Sequence, residues 1–186
     1  MYRRPNLLAF AWCAAGVLAA SCASRPADPE RFTSAPADFT LSVTVLSPAR
    51  SMAEVDRLPP RARPACYLVE PDGAFRVAVG PAASPTVFPS LARQLTREQV
   101  DRVWSLARDA GILDADHPGR VQNVETFVRP AGDATVVLLY AGFAGSQRHV
   151  AVALDGAHAD PAAVAPLIDE LNALAWMRAW SAAGSP

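Results

Sequence analysis

The chain has 186 residues, 51% of them hydrophobic and 19% charged, with 17 basic against 18 acidic side chains and a formal net charge of −1. Such a balance, without a basic run, excludes a nucleic-acid binder that works by charge. The length suits one domain with a proper core, and the use of arginine for every basic residue is read as coding bias from a GC-rich genome.

Residues 1–21 read as a signal peptide. Arg3 and Arg4 make a positive start, and Leu7 to Ala20 form an apolar run of signal-peptide length. Spanning a bilayer takes about 20 apolar residues, so this run is too short to be a comfortable anchor. It ends in Ala19, Ala20, Ser21 and Cys22, which resembles the lipobox of bacterial lipoproteins, with Leu18 one position further from the cysteine than usual. The resemblance implies that the Cys22 thiol is diacylated, carries palmitate and becomes the new N-terminus. It also implies a cell-envelope protein on the periplasmic side. Ala23 is not a retention signal of the aspartate type, so the outer membrane is favoured in a diderm host. Ordinary signal-peptidase cleavage near Cys22, giving a secreted protein, is the alternative; an uncleaved anchor is a third. Without lipid, a Cys22–Cys66 disulfide becomes open to the chain; with it, Cys66 is a single thiol. Loss of residues 1–21 removes two arginines and no acid, leaving a formal charge of −3.

Residues 22–38, polar and proline-bearing, are expected to be the lipidated cysteine and a flexible tether. A free spacer of that length reaches on the order of 20–25 Å. The globular domain is expected over 39–180 and a disordered tail over 181–186. Phe39, Leu41, Val43 and Val45 alternate with Thr40, Ser42 and Thr44, the period of a half-buried strand. Residues 47–64 read as a long proline-rich loop. Two short strands then flank Pro71-Asp72-Gly73, where proline presets a turn and glycine accepts positive φ.

Thr96 and Gln99 spell a capping box. Val100, Val103, Trp104 and Ala107 follow at helical spacing, and Gly111 ends the helix. Three more strands are expected, over about 121–129, 134–141 and 147–154. The middle one is apolar on both faces and therefore interior. Asp160 and Pro161 open a second helix, whose buried face runs through Val164, Leu167, Ile168, Leu171 and Leu174. Pro166 is expected to kink or split off its first turn.

The expected fold is thus α+β, an antiparallel sheet of about six strands with two helices packed on one face, in the order βββα-βββα. With the Asp72-Gly73 hairpin and the Thr96 helix behind a lipobox, this order resembles small bacterial lipoproteins of unknown function. That resemblance implies an envelope location and brings no catalytic residue with it.

The chemistry-bearing residues are few. Asp114, Asp116 and His117 cluster in one loop, and Asp155, His158 and Asp160 in another. Both sets contain metal-ligand types, although turns and caps also call for Asp. There is no nucleophile elbow, phosphate loop, HExxH or Cys-x-x-Cys, so no catalytic residue, metal site or cofactor is expected. Cys66 is expected as a core residue, His149 on a sheet face, and Trp176 and Trp180 in packing rather than in an exposed patch. The long loop carries Arg50, Arg57, Arg61 and Arg63 against Glu54 and Asp56. That balance makes it the expected contact surface for an envelope protein or cell-wall polymer. A non-catalytic binding module follows; the alternative is a periplasmic hydrolase or metal-binding protein around His117 with Asp114 or Asp116.

Overall fold

A computed structural model describes residues 27–124, 127, 134–154 and 161–176. The signal segment, Cys22, the Asp155–His158–Asp160 cluster, Trp180 and the tail lie outside the described residues. The fold is α+β: a six-stranded antiparallel sheet with three helices.

Strand β1 (Thr40–Leu46) is followed by helix α1 (Met52–Arg57) and the hairpin of β2 (Ala65–Val69) and β3 (Ala74–Val79). Then come β4 (Ser90–Gln94), α2 (Arg97–Asp109), the hairpin of β5 (Val136–Phe143) and β6 (Ser146–Ala153), and α3 (Pro161–Trp176). The spatial order is β4-β3-β2-β1-β5-β6.

Two elements depart from the order expected. The segment 47–64 contains α1 and a 3-10 turn at Pro60–Ala62, instead of being a bare loop. Ser51 caps α1 by accepting the Glu54 N–H at 3.3 Å. The other departure is β4, whose five residues lack alternation and are mostly exposed; pairing with β3 holds it, with a register shift at Phe75/Arg76. The expected strand at 121–129 falls partly outside the described residues. Its neighbourhood contributes one bridge, Arg120 to Val150. Among the described residues, four strands therefore precede α2 and two lie between α2 and α3.

Elsewhere local chemistry acts as its residues suggest. At the β2–β3 hairpin the Gly73 N–H bonds the Glu70 carbonyl at 2.9 Å, and Gly73 takes φ +84°, a type I turn closed by a left-handed glycine. Thr96 and Gln99 form the reciprocal capping box of α2. At its other end Gly111 (φ +69°) lets Ile112 N–H reach the Ala107 carbonyl at 3.1 Å, a Schellman termination. Helix α3 runs through Pro166 as one assigned helix.

The main core is one buried cluster drawn from the sheet and the helices. Register places Leu41, Val43 and Val45 beside Val69, Tyr67 and Ala65 on one side and Ala141, Leu139 and Val137 on the other. These residues share a cluster with Val103 and Trp104 of α2 and Leu167, Ile168 and Leu171 of α3. A smaller cluster covers the opposite face of β5, where Val136 and Leu138 meet Val124. Cover on both faces explains why β5 is apolar throughout.

Candidate functional site

Residues 27–38 form a strap on the domain. The Ala27 N–H donates to Ser146 Oγ at 2.9 Å, and the Ala35 N–H to Asp101 Oδ1 at 2.9 Å. Pro29 and Ala35 are buried, and Phe32 and Phe39 meet Trp104 edge-on at centroid distances of 6.2 and 5.2 Å. The strap ends at Asp38, whose two carboxylate oxygens accept the Ala144 and Gly145 N–H groups at 2.8 and 3.0 Å. Those bonds hold the Asp38 carboxyl below its usual range. Most of the expected tether therefore belongs to the folded unit. Apolar burial outweighs the freedom of a proline-bearing chain; the signal overlooked was Phe32, an aromatic side chain inside a supposedly solvated spacer.

Beside the strap, a cleft of ≈ 480 Å³ is lined by Asp28, Arg31, Phe32, Asp114, Asp116 and Arg148, among others. Arg148 is the residue that sequence reasoning passed over. It sits on β6 only 6% exposed, and its guanidinium donates to the Leu113, Gln147 and Ala27 carbonyls at 3.1, 3.0 and 3.5 Å. Its Cζ lies 5.6 Å from the centre of the Phe143 ring. Burial lowers its pKa, with Arg120 adding to the effect and Asp114 opposing it. The group remains charged, since arginine starts above 12. Arg148 thus joins three chain segments through carbonyl oxygens.

Asp114 and Asp116 also line a second cleft, of ≈ 390 Å³, with His117, Gly111 and Ala163. His117 Nδ1 accepts the Gly119 N–H at 2.9 Å. That bond needs the neutral ring with its proton on Nε2. Burial pushes the His117 pKa down, partly opposed by Asp114, so the ring is neutral at pH 7. Its basic nitrogen is engaged in holding the turn that lays Gly119 against β6. Among the described residues, no group of three or more His, Cys, Asp or Glu is placed to hold a metal ion.

The arginine segment divides in two. Arg61 makes a two-pronged pair with Asp169 of α3, its Nε at 2.7 Å from Oδ1. Arg63 Nε donates to the Leu58 carbonyl at 3.1 Å. The Asp169 pair ties the segment to α3 and the Leu58 bond closes the segment on itself; Arg50 and Arg57 are exposed, as is Arg61. Sequence reasoning did not single out Met52, Val79, Val87, Phe88 and Leu91, all of which are exposed, Phe88 by 68%. Arg76 lies over the Phe88 ring at 4.8 Å and pairs with Glu70 at 2.6 Å.

Other expected residues take these places. Cys66 is buried, unbridged and has its pKa raised by burial. Its thiol accepts from Thr44 Oγ1 at 3.5 Å. His149 is half-buried on β6, its ring 5.0 Å from that of Tyr140. Trp176 corrects the packing expected of it, being 70% exposed. No helix among the described residues is long and apolar enough to cross a membrane. No protein-family model, curated protein or solved structure matches the chain.

Proposed function

We propose that the chain is a lipid-anchored bacterial envelope protein whose domain is a non-catalytic binding module, with α2 and α3 layered on one sheet face. The observation that carries the reading is the junction of two features. Leu7 to Ala20 end in Ser21-Cys22, and five positions beyond Cys22 the chain is already bonded to the domain, Ala27 to Ser146. Palmitate on Cys22, a periplasmic position and the outer membrane in a diderm host complete it.

The binding surface in this reading is α1 with the β3–β4 connection, where exposed Arg50 and Arg57 accompany exposed Met52, Val79, Val87 and Phe88. A basic and apolar surface suits an anionic partner with an apolar element, either an envelope protein or a cell-wall polymer. Arg61 ties the segment that carries α1 to α3 through Asp169. The rival reading, a hydrolase or metal protein around His117 with Asp114 or Asp116, has less support because His117 Nδ1 accepts from Gly119.

Capture from solubilised envelopes tests the surface. The wild type is expected to retrieve a partner that the Arg50→Glu/Arg57→Glu/Phe88→Ser protein does not. Equal recovery by both overturns the surface. Unchanged palmitate labelling in Cys22→Ala overturns the anchor.

A further inference from the structure

We infer that the domain is held at one fixed end against the lipid headgroups, its strap end facing the bilayer and its α1 end facing away. This deepens the proposed function and rests on acylation of Cys22.

The first step is reach. Were residues 22–38 a free spacer, the domain would roam on the order of 20–25 Å from the surface. The strap removes that freedom, since the chain is bonded to the domain from Ala27 onward through Ser146, Asp101 and the Asp38 clamp. Four residues separate Cys22 from Ala27. Fully extended, the five Cα–Cα steps span at most about 18 Å.

The second step is direction. Ala27 is bonded to Ser146, the first residue of β6, and Asp38 holds the turn between β5 and β6. Thr40 pairs with Gly142, so β1 begins at that same end and runs away from it. At the far end Val45 pairs with Ala65, which pairs with Val79. Beyond Val79 comes Gly80, where an added Cβ would lie 3.3 Å from Met52 Sδ on α1. The seven residues of β1 put about 20 Å between the two ends. A tether of about 18 Å fastened at one end leaves that end beside the headgroups. Met52, Val79, Arg50 and Arg57 are then presented outward.

The near end is polar with an excess of acid, so the tether, not charge attraction, keeps it at the headgroups. Asp28 and Arg31 are exposed there as a pair at 3.6 Å, and Asp114 and Asp116 are exposed beside them.

The test uses the mature lipidated protein in phosphatidylglycerol/phosphatidylethanolamine vesicles, some of whose headgroups carry a nitroxide. Glu30→Cys labels the strap and Ala82→Cys the far end, each with a fluorophore; Cys66 is buried and stays unlabelled in the folded protein. In vesicles recovered by flotation, the Glu30 label is expected to be quenched several-fold more than the Ala82 label. Twelve Gly/Ser residues inserted after Ala23 are expected to reduce that difference. Protein that floats with equal quenching at both positions overturns this inference and leaves the anchor standing. Protein that fails to float overturns both.

Discussion

The indole N–H of Trp104 points at the Phe32 carbonyl, 3.4 Å away. A helix of the core thereby holds a residue that the sequence places in a spacer. Trp104 is fully buried and also meets Phe39 and Phe143 edge-on. Trp104→Ala is expected to lower stability by about 3–5 kcal/mol, measured by denaturant unfolding. Phe32→Ala, which removes a half-buried ring, is expected to be milder, at about 1–2 kcal/mol. A chain beginning at Asp38 is expected to unfold at lower denaturant than one beginning at Ala23. Equal midpoints would mean that the strap adds nothing.

Two glycines separate space from backbone strain. At Gly119 an added Cβ would fall 2.6 Å from the carbonyl oxygen of Ala151, whose N–H bonds the Gly119 carbonyl at 2.7 Å. At Gly145 nothing lies within 4 Å, yet φ is +71°. Gly119→Asn is therefore expected to cost about 1–3 kcal/mol. Gly145→Asn is expected to be nearly neutral, because asparagine tolerates that conformation. Thermal unfolding of the two proteins compares them directly; similar losses would contradict the account.

Asp38 gives a pH signature. Its folded pKa is lowered first by the Ala144 N–H, then by that of Gly145. Its contribution is thus present above the unfolded carboxylate value of about 3.9 and is lost as pH falls through the lower folded value. Asp38→Ala is expected to lose about 1 kcal/mol at pH 7, discounted for exposure, and progressively less in acid. An effect that is constant with pH would sink the charge argument.

Tyr67 gives the opposite one. Its hydroxyl donates to Asn172 Oδ1 at 2.6 Å, and burial, helped by Cys66, pushes its pKa up to about 12. The stabilisation is full below the unfolded value of about 10 and is lost as pH rises toward 12. Ultraviolet titration should show one tyrosine ionising late, and Tyr67→Phe should abolish that step.

What was legible in the sequence was whatever short-range chemistry decides. The Thr96–Gln99 box, the Gly111 stop, the Asp72-Gly73 turn and the β1 alternation all formed as their residues suggest. Helix α1 is also spelled out, by Ser51 and Glu54 three residues apart, although Pro59 and Pro60 just beyond it carry the signature of a loop. The rest is held by long-range partners. Strand β4 exists through its pairing with β3, and Arg148 acquires its role only when Leu113 and Ala27 arrive beside it. Of the arginines, Arg61 meets Asp169 and Arg63 the Leu58 carbonyl, pairings that spacing along the chain does not reveal. The Asp114–Asp116–His117 cluster was legible as a cluster; that Gly119 engages the imidazole follows from the fold of the turn.

The central claim is that the chain is already fastened to the domain at Ala27, with four residues between it and Cys22. Amide hydrogen exchange on the mature protein tests it most directly. The Ala35 N–H, bonded to Asp101, and the Phe39 N–H, bonded to the Pro36 carbonyl at 3.0 Å, are expected to exchange far more slowly than in a free chain. Their protection should disappear together with that of α2 when the domain unfolds. Exchange of residues 27–38 at free-chain rates while α2 stays protected would contradict the account.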